Sequence, residues 1–480
     1  MLHTPMKGQI PLPSPCSPVP SKRQVEWQKW ECYAFVHFGI NTFTDKEWGY
    51  GDESPALFNP TDFNADEAVR LFHEAGMTAV ILTAKHHDGF CLWQTAFTDH
   101  SVKKSPWRGG KGDVVGEFAE ACKRNGMKFG VYLSPWDRNR SDYGTPEYLN
   151  YYRNQLTELL TNYGEIAEVW FDGANGGDGY YGGAREKRTI DRSTYYGWDT
   201  TWNLVRRLQP NAVIFSDVGP DIRWIGNEKG IAGETCWSMY SPVGEHGTPP
   251  APGNTVYSQA IEGSRDGKAW LPAECDVSIR PGWFYHQKED SLVKSGQQLL
   301  NLYLQTVGRN ASLLLNVPLD RRGRVAQSDS IALMKFKHLR DRLFATDFAR
   351  GASVNSSNTR GNDVQYSAEN VVDGDPDTYW ATDDSVTNAS LILRLSKKAT
   401  FDCLLLQEYI LLGQRVESFS VEWLDGNRWR ELASGTTIGH KRLLRFSPVT
   451  TDEVRLVIHR SRCAPLISAF SLYKFPPLEK

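Results

Sequence analysis

Between Tyr33 and Pro318 the chain alternates short apolar runs with longer segments of helical period, and this alternation restricts the fold more than any other feature. Seven runs read as strands: Tyr33 to Gly39, Thr78 to Lys85, Lys128 to Pro135, Glu168 to Gly173, Ala212 to Gly219, Trp270 to Ile279 and Ser312 to Pro318. Helical stripes lie between them, as in Ala68, Leu71, Phe72 and Ala75, or Val115, Phe118, Ala119 and Cys122. Each of these two helices ends at a glycine, Gly76 or Gly126, where a left-handed C-cap belongs. Apolar strands joined by helices imply a parallel sheet covered on both faces, either doubly wound or closed into a barrel. The strand ends decide between the two. Most finish in polar or aromatic residues: His37, Lys85-His86-His87-Asp88, Ser134-Pro135-Trp136-Asp137, Asp172, Ser216-Asp217 and Glu274-Cys275-Asp276. An open sheet gathers its site at one switch point, whereas a barrel draws on many strand ends. The expected fold class is therefore α/β, a (β/α) TIM-like barrel.

Downstream the composition changes. The segment from Arg350 to Asp363 is rich in Gly, Ser and Asn, and beyond it runs such as Phe419 to Leu424 and Val454 to Ile458 alternate with period two, as in an antiparallel β-sandwich. The expected organisation is a disordered Pro-rich leader over 1–21, a catalytic barrel over 22–345, a linker over 346–363 and a β-sandwich over 364–480. The sandwich is read as either a packing appendage or a carbohydrate-binding module. The 8 cysteines form no Cys-x-x-Cys pair, so neither a zinc site nor a disulfide framework is indicated and most are expected as buried thiols. With 54 basic and 57 acidic residues the chain has no basic footprint for nucleic acid, and no apolar stretch approaches the roughly 18 residues that span a bilayer. Uncharged partners are expected, and 16 Trp with 20 Tyr suit surfaces that stack on sugar rings.

Glycoside hydrolysis needs two carboxyl groups, one protonating the leaving oxygen and one ionised. Asp172 is the first candidate, because it ends an apolar strand after Trp170-Phe171 and precedes Gly173. The competing reading makes it a helix cap. Two acids compete for the protonating role. Glu228 follows the strand carrying Asp217, among aromatic residues, while Glu274 lies on or near a strand and could instead hold a hydroxyl or pair with Arg280. His37, His86 and His87 suit hydroxyl recognition, since a neutral imidazole both donates and accepts. A metal site is disfavoured: adjacent strand histidines point to opposite faces and no third ligand has a matching spacing. On that reasoning one histidine of the pair could be a core residue. The stretch Gly173-Ala-Asn-Gly-Gly-Asp-Gly179 lacks the Gly-Lys-Ser/Thr of a phosphate cradle and reads as an active-site loop.

Taken together, Phe35-Val-His-Phe-Gly39, Glu47-Trp-Gly49, Thr83-Ala-Lys-His-His-Asp-Gly-Phe90, Tyr132-Leu-Ser-Pro135, Val169-Trp-Phe-Asp-Gly173 and Leu313-Leu-Leu-Asn-Val-Pro318 resemble glycoside hydrolase family 29, the retaining α-L-fucosidases. The resemblance implies a barrel with irregular or missing helices, Asp172 as nucleophile, and no metal or cofactor. It implies sugar contacts at His37, Glu47, Trp48, His86, His87 and Tyr132, with Trp283 as an aromatic platform. The segment Gly219 to Glu228 is similar to the subgroup that cleaves α-1,3/1,4-linked fucose from Lewis-type glycans, which implies Glu228 as acid/base and leaves Glu274 as the alternative. The expected partners are fucosylated oligosaccharides, and the expected location is periplasmic or secreted. A hydrolase for a related sugar such as an α-L-galactoside, or a glycan-binding protein without activity, are the alternative functions. Val371-Val-Asp-Gly-Asp-Pro-Asp-Thr-Tyr-Trp380 resembles discoidin-like (factor 5/8 type C) modules.

Overall fold

The computed structural model describes residues 10–477. Eight strands close a barrel: β1 (Cys32–Val36), β2 (Ala79–Lys85), β3 (Lys128–Leu133), β4 (Glu168–Trp170), β5 (Val213–Ser216), β6 (Ile222–Trp224), β7 (Ala273–Ser278) and β8 (Ala311–Asn316). Each pairs in parallel with its sequence neighbours, and β8 returns to β1. One face of each strand fills the barrel with large rings, among them Tyr33, Phe35, Tyr132, Trp170 and Phe215. The alternate residues, such as Ala34, Leu82, Val131, Ile214 and Leu315, pack outward with Phe72, Phe118, Leu159 and Phe336 from the surrounding helices.

Local chemistry sets where those helices begin and end. Asn64 caps Ala65–Glu74 by accepting the Glu67 N–H at 3.1 Å, and Asp113 caps Val114–Arg124 by accepting that of Gly116 at 2.8 Å. Gly76 and Gly126 follow these two helices at φ 73° and 67°, the left-handed conformation expected of them.

Two features depart from the sequence expectation. Strand β6 is not among the seven runs, because it follows β5 with no helix between them to separate it as a run of its own. Trp270 to Ile279 is not one strand: Ala269–Trp270 pairs antiparallel with Met239–Tyr240, and β7 starts only after Pro272, which has no N–H to offer a ladder. Residues 225–272, between β6 and β7, thus form a long excursion without an α-helix. The fully buried Arg223 guanidinium pins it by donating to the carbonyls of Ala260, at 2.9 Å, and Leu271.

The second domain is all-β and antiparallel. Its two 20-residue strands, Ala389–Glu408 and Arg442–Ser461, pair through register shifts and enclose Leu391, Phe401, Leu404, Val454 and Phe470. The expected linker belongs to it, since Ser353–Ser356 pairs with residues 391–394. This domain also grips the excursion. Gln414 Oε1 accepts the Ser238 N–H at 2.7 Å, Thr437 Oγ1 accepts that of Cys236 at 2.9 Å, and Asn310 from the barrel donates to the Cys236 carbonyl at 2.9 Å.

The expected disordered leader is corrected over residues 10–21, while residues 1–9 lie outside the described residues. Prolines leave a segment poor in donors and rich in carbonyls, and arginines of the second domain use those carbonyls: Arg360 donates to Pro11 at 3.0 Å, Arg415 to Ser14 at 2.7 Å and Arg462 to Ser17 at 3.0 Å. Cys16 is bonded to Cys463, 447 residues away, which corrects the expectation that no disulfide is indicated. No local spacing signals a pair so distant. Cys32, Cys91, Cys122, Cys236, Cys275 and Cys403 are buried thiols. Cys16→Ser should lower stability by about 2–4 kcal/mol. Thermal melts of wild type and variant, each with and without reductant, check this: reductant should depress the midpoint of the wild type alone.

Candidate active site

The C-terminal ends of the strands open into a cavity of about 470 Å³. His37 follows β1, His86 and His87 follow β2, Tyr132 lies in β3, and Asp172 stands two residues past β4. Asp217 follows β5, Trp224 ends β6, Glu228 lies four residues beyond it, and Asp276 lies within β7. Trp48 and Trp283 line it from loops, and Gly173 to Gly176 of the Gly-rich stretch edge the same space.

Asp172 is held by both oxygens. Oδ1 accepts the Ala174 N–H at 2.7 Å and Oδ2 the Tyr132 hydroxyl at 2.8 Å, while His87 Nε2 stands 3.7 Å from Oδ2. Burial raises its pKa and these two donors work against that rise. Glu228 is raised as well, by burial first and then by the charges of Asp172 and Glu47, against a hydrogen bond from the Trp283 side chain. One cavity therefore brings together a fixed carboxylate and a second carboxyl group that retains its proton more readily than usual.

Burial favours the neutral form of all three histidines. It pulls His37 and His87 down to about 3, and His86 well below its ordinary value. Their partners assign the tautomers. Ser134 spends its only hydroxyl proton on the Trp136 carbonyl at 2.7 Å, so it must accept from His87 Nδ1, also at 2.7 Å. Asn316 donates through Nδ2 to Ser278 and to the Trp283 carbonyl, so its Oδ1 accepts from His37 Nδ1 at 2.8 Å. Both rings keep Nε2 as a bare acceptor, suited to sugar hydroxyls. His86 Nδ1 is buried without a partner. His86 and His87 both line the cavity, against the expectation of opposite faces, because they lie in a turn past the end of β2 where strand alternation no longer holds.

Two further acids have their own partners. The Glu47 carboxylate accepts the N–H groups of Trp283 at 2.7 Å and Phe284 at 3.1 Å, and meets His286 Nε2 at 2.6 Å. It therefore holds the loop that carries Trp283. Glu47→Ala should raise KM about 10-fold with little change in kcat, the cost of losing hydrogen bonds to a charged acceptor; steady-state kinetics on an aryl glycoside checks it. Glu274 is sealed inside the barrel below the cavity, bonded to Tyr33 and Trp170, which rules against its acting on a substrate. Arg280 pairs with Asp329 and Asp290 rather than with Glu274.

Several lining residues were not singled out from sequence. Asp217, raised to about 6 by burial, accepts from the Gly253 N–H at 2.7 Å and the Tyr257 hydroxyl at 2.9 Å. Asp276, raised well above the ordinary range by burial, accepts the Trp224 indole N–H at 2.6 Å. Arg192 arrives from the loop after β4 and donates to the Gly253 carbonyl at 3.3 Å. Two acids are visible as strand ends. Trp224, Tyr257 and Arg192 sit on irregular segments with no periodicity to mark them.

Residues 16–337 match the family model for alpha-L-fucosidase. The chain belongs to the alpha-L-fucosidase family. This fucosidase also carries, over residues 352–469, a match to the F5/8 type C domain. It is 46% identical to alpha-L-fucosidase 1 of Arabidopsis thaliana over 468 residues, covering 96% of this chain and 89% of that one. A putative alpha-L-fucosidase from Bacteroides thetaiotaomicron superposes with a TM-score of 0.87 at 41% identity, covering 97% of this chain and 99% of that chain. A family 29 fucosidase from Ruminococcus gnavus, solved in complex with fucose, gives a TM-score of 0.87 at 34% identity over 98% and 97% of the two chains. The fold and the glycoside hydrolase activity expected from sequence are those of this family.

Proposed function

We propose that this alpha-L-fucosidase is a retaining exo-enzyme that removes α-1,3/1,4-linked fucose from branched, Lewis-type glycans by double displacement. Asp172 attacks the anomeric carbon while Glu228 protonates the leaving oxygen; Glu228 then takes a proton from the water that releases fucose. The observation that carries this is the pairing of an Asp172 carboxylate fixed at both oxygens with a Glu228 whose proton is retained by burial, both lining one cavity.

The neutral histidines accept fucose hydroxyls through Nε2, and Trp48 and Trp283 offer ring faces to the sugar. The leaving sugar lies toward Trp224, Tyr257, Asp217 and Arg192, polar and aromatic groups suited to sugar hydroxyls and ring faces. That a fucosidase of this architecture has been solved with fucose supports the sugar assignment.

The Cys16–Cys463 bond supports a periplasmic or secreted location, since such bridges persist in oxidising compartments. Incubation with Lewis-type trisaccharides, 2′-fucosyllactose and an aryl fucoside, with the first-formed anomer read by NMR, tests linkage and stereochemistry together. Release of α-fucose first, from the branched glycans and not from 2′-fucosyllactose, is the expected result. Early β-fucose, or a preference for 2′-fucosyllactose, would refute the corresponding half.

A further inference from the structure

Beneath the cavity floor the barrel interior holds two acids that hydrolysis does not use. Glu168 opens β4 and Glu274 is the second residue of β7, and both are 0% exposed. Glu274 Oε1 accepts the Trp170 indole N–H at 2.8 Å, and Oε2 accepts the Tyr33 hydroxyl. Glu168 Oε2 accepts the Trp27 indole N–H at 3.2 Å, which is shared with the Tyr33 oxygen at 3.1 Å. The remaining oxygen, Glu168 Oε1, is buried and meets no N–H or O–H donor. Within hydrogen-bonding reach of Glu168 lies the other carboxyl group.

Two bare carboxylates side by side in an aromatic core, with no cation paired to either among the described residues, would be prohibitively costly. One proton between them removes the repulsion and supplies the missing donor. What the pair holds is the floor itself. The Trp170 ring stacks on Phe215 at 4.1 Å and on Tyr132 at 5.3 Å, and the Tyr132 hydroxyl donates to Asp172. The path from the pair to the Asp172 carboxylate therefore runs through two rings and two hydrogen bonds.

We propose that Glu168 and Glu274 share one proton and act as a positioning pair, fixing the Trp170 indole and, through Tyr132, the orientation of the Asp172 carboxylate. This rests on the assignment of Asp172 as nucleophile. The titratable groups on the same inner face are Tyr33 from β1 and Asp276 from β7; burial raises both, and neither is a cation that could compensate the pair. Burial and mutual repulsion hold the shared proton well above the ordinary carboxyl range. Because the folded value lies above the unfolded one, the stability involved is complete below the ordinary range and is lost as pH rises through the raised one.

The test uses the full chain with an aryl fucoside, and thermal melts from mildly acidic to alkaline pH. Glu168→Gln keeps shape and replaces the shared proton with an amide N–H toward Glu274. It should keep neutral kcat within a few-fold of wild type, and its melting midpoint should fall less steeply as pH rises above the ordinary carboxyl range. Glu274→Leu removes the Trp170 acceptor and should lower kcat by about 10- to 100-fold, with KM changed far less, as a small misplacement of a reacting group does.

Wild-type kcat in Glu274→Leu, an equal loss in Glu168→Gln, or parallel melting profiles of Glu168→Gln and wild type would each overturn the proposal. Should Glu274→Leu fail to fold, the Glu168→Gln kinetics and melting profile decide alone. Asp172→Asn in the same assay separates the two readings. Retained turnover there means the nucleophile is misassigned whatever the pair does; an inactive Asp172→Asn beside an unaffected Glu274→Leu removes only the pair.

Discussion

Asp172→Asn should fold normally, bind fucose and lose turnover by roughly 10⁴-fold or more, the order found when a nucleophile is removed. Asparagine keeps an oxygen for one of the two donors that hold the aspartate, and it removes a charge that burial disfavours. The melting midpoint is therefore expected to hold or rise. Because the three histidines and both platform tryptophans are untouched, fucose affinity by calorimetry should stay within a few-fold of wild type. Loss of binding together with activity would make Asp172 a structural residue. Trapping the glycosyl-enzyme with a fluorinated fucoside and mapping the label gives an independent reading, and a label on any other side chain would unseat it.

Glu228→Ala should lose about 10²- to 10⁴-fold on substrates that need protonation of the leaving oxygen, the range general acid catalysis provides. On an aryl fucoside with an acidic phenol the first step no longer needs that proton, so glycosyl-enzyme builds up and azide should restore turnover as the fucosyl azide. The pH profile adds a sign. Glu228 is raised by burial and by the Asp172 charge, so with Glu228 as the acid, activity should fall as pH rises through that raised value. In Glu228→Ala rescued with azide this alkaline limb should vanish, while the acid limb set by Asp172 remains. An alkaline limb that survives would place the protonating group elsewhere.

The barrel was readable because its strands are apolar on both faces and stop abruptly at polar residues. Asp172, His37, His86 and His87 stood out as such stops. What escaped has a common cause. Strand β6 follows β5 with no helix to set it apart, and Trp224, Tyr257 and Arg192 lie on or beside irregular segments, the long excursion and the loop after β4. Glu228 was placed after the strand carrying Asp217, when a whole further strand intervenes and makes it, like Asp172, a residue just beyond a strand end. Glu274 misled for the opposite reason. Its position near the start of β7 puts it deep in the barrel, and no local pattern separates that end from the catalytic one. The Pro-rich segment was misread because its order comes from arginines more than 300 residues away.

The two walls of the cavity are built from different material, and their freedom to change differs accordingly. His37, His86, His87, Tyr132 and Asp172 stand on or just beyond strand ends, backed by the packed barrel interior, where a substitution disturbs the whole sheet. Tyr257, Gly253 and Arg192 ride instead on connections between strands, tied to the barrel through the bonds of the Gly253 N–H and the Tyr257 hydroxyl to Asp217, and such connections accept changes in length and sequence more readily than strands do. Under the proposed placement of the leaving sugar, recognition of the terminal sugar and recognition of what it is attached to would be separable traits. Directed evolution confined to residues 176–192 and 243–257 should move the enzyme among acceptor glycans while leaving its demand for fucose intact.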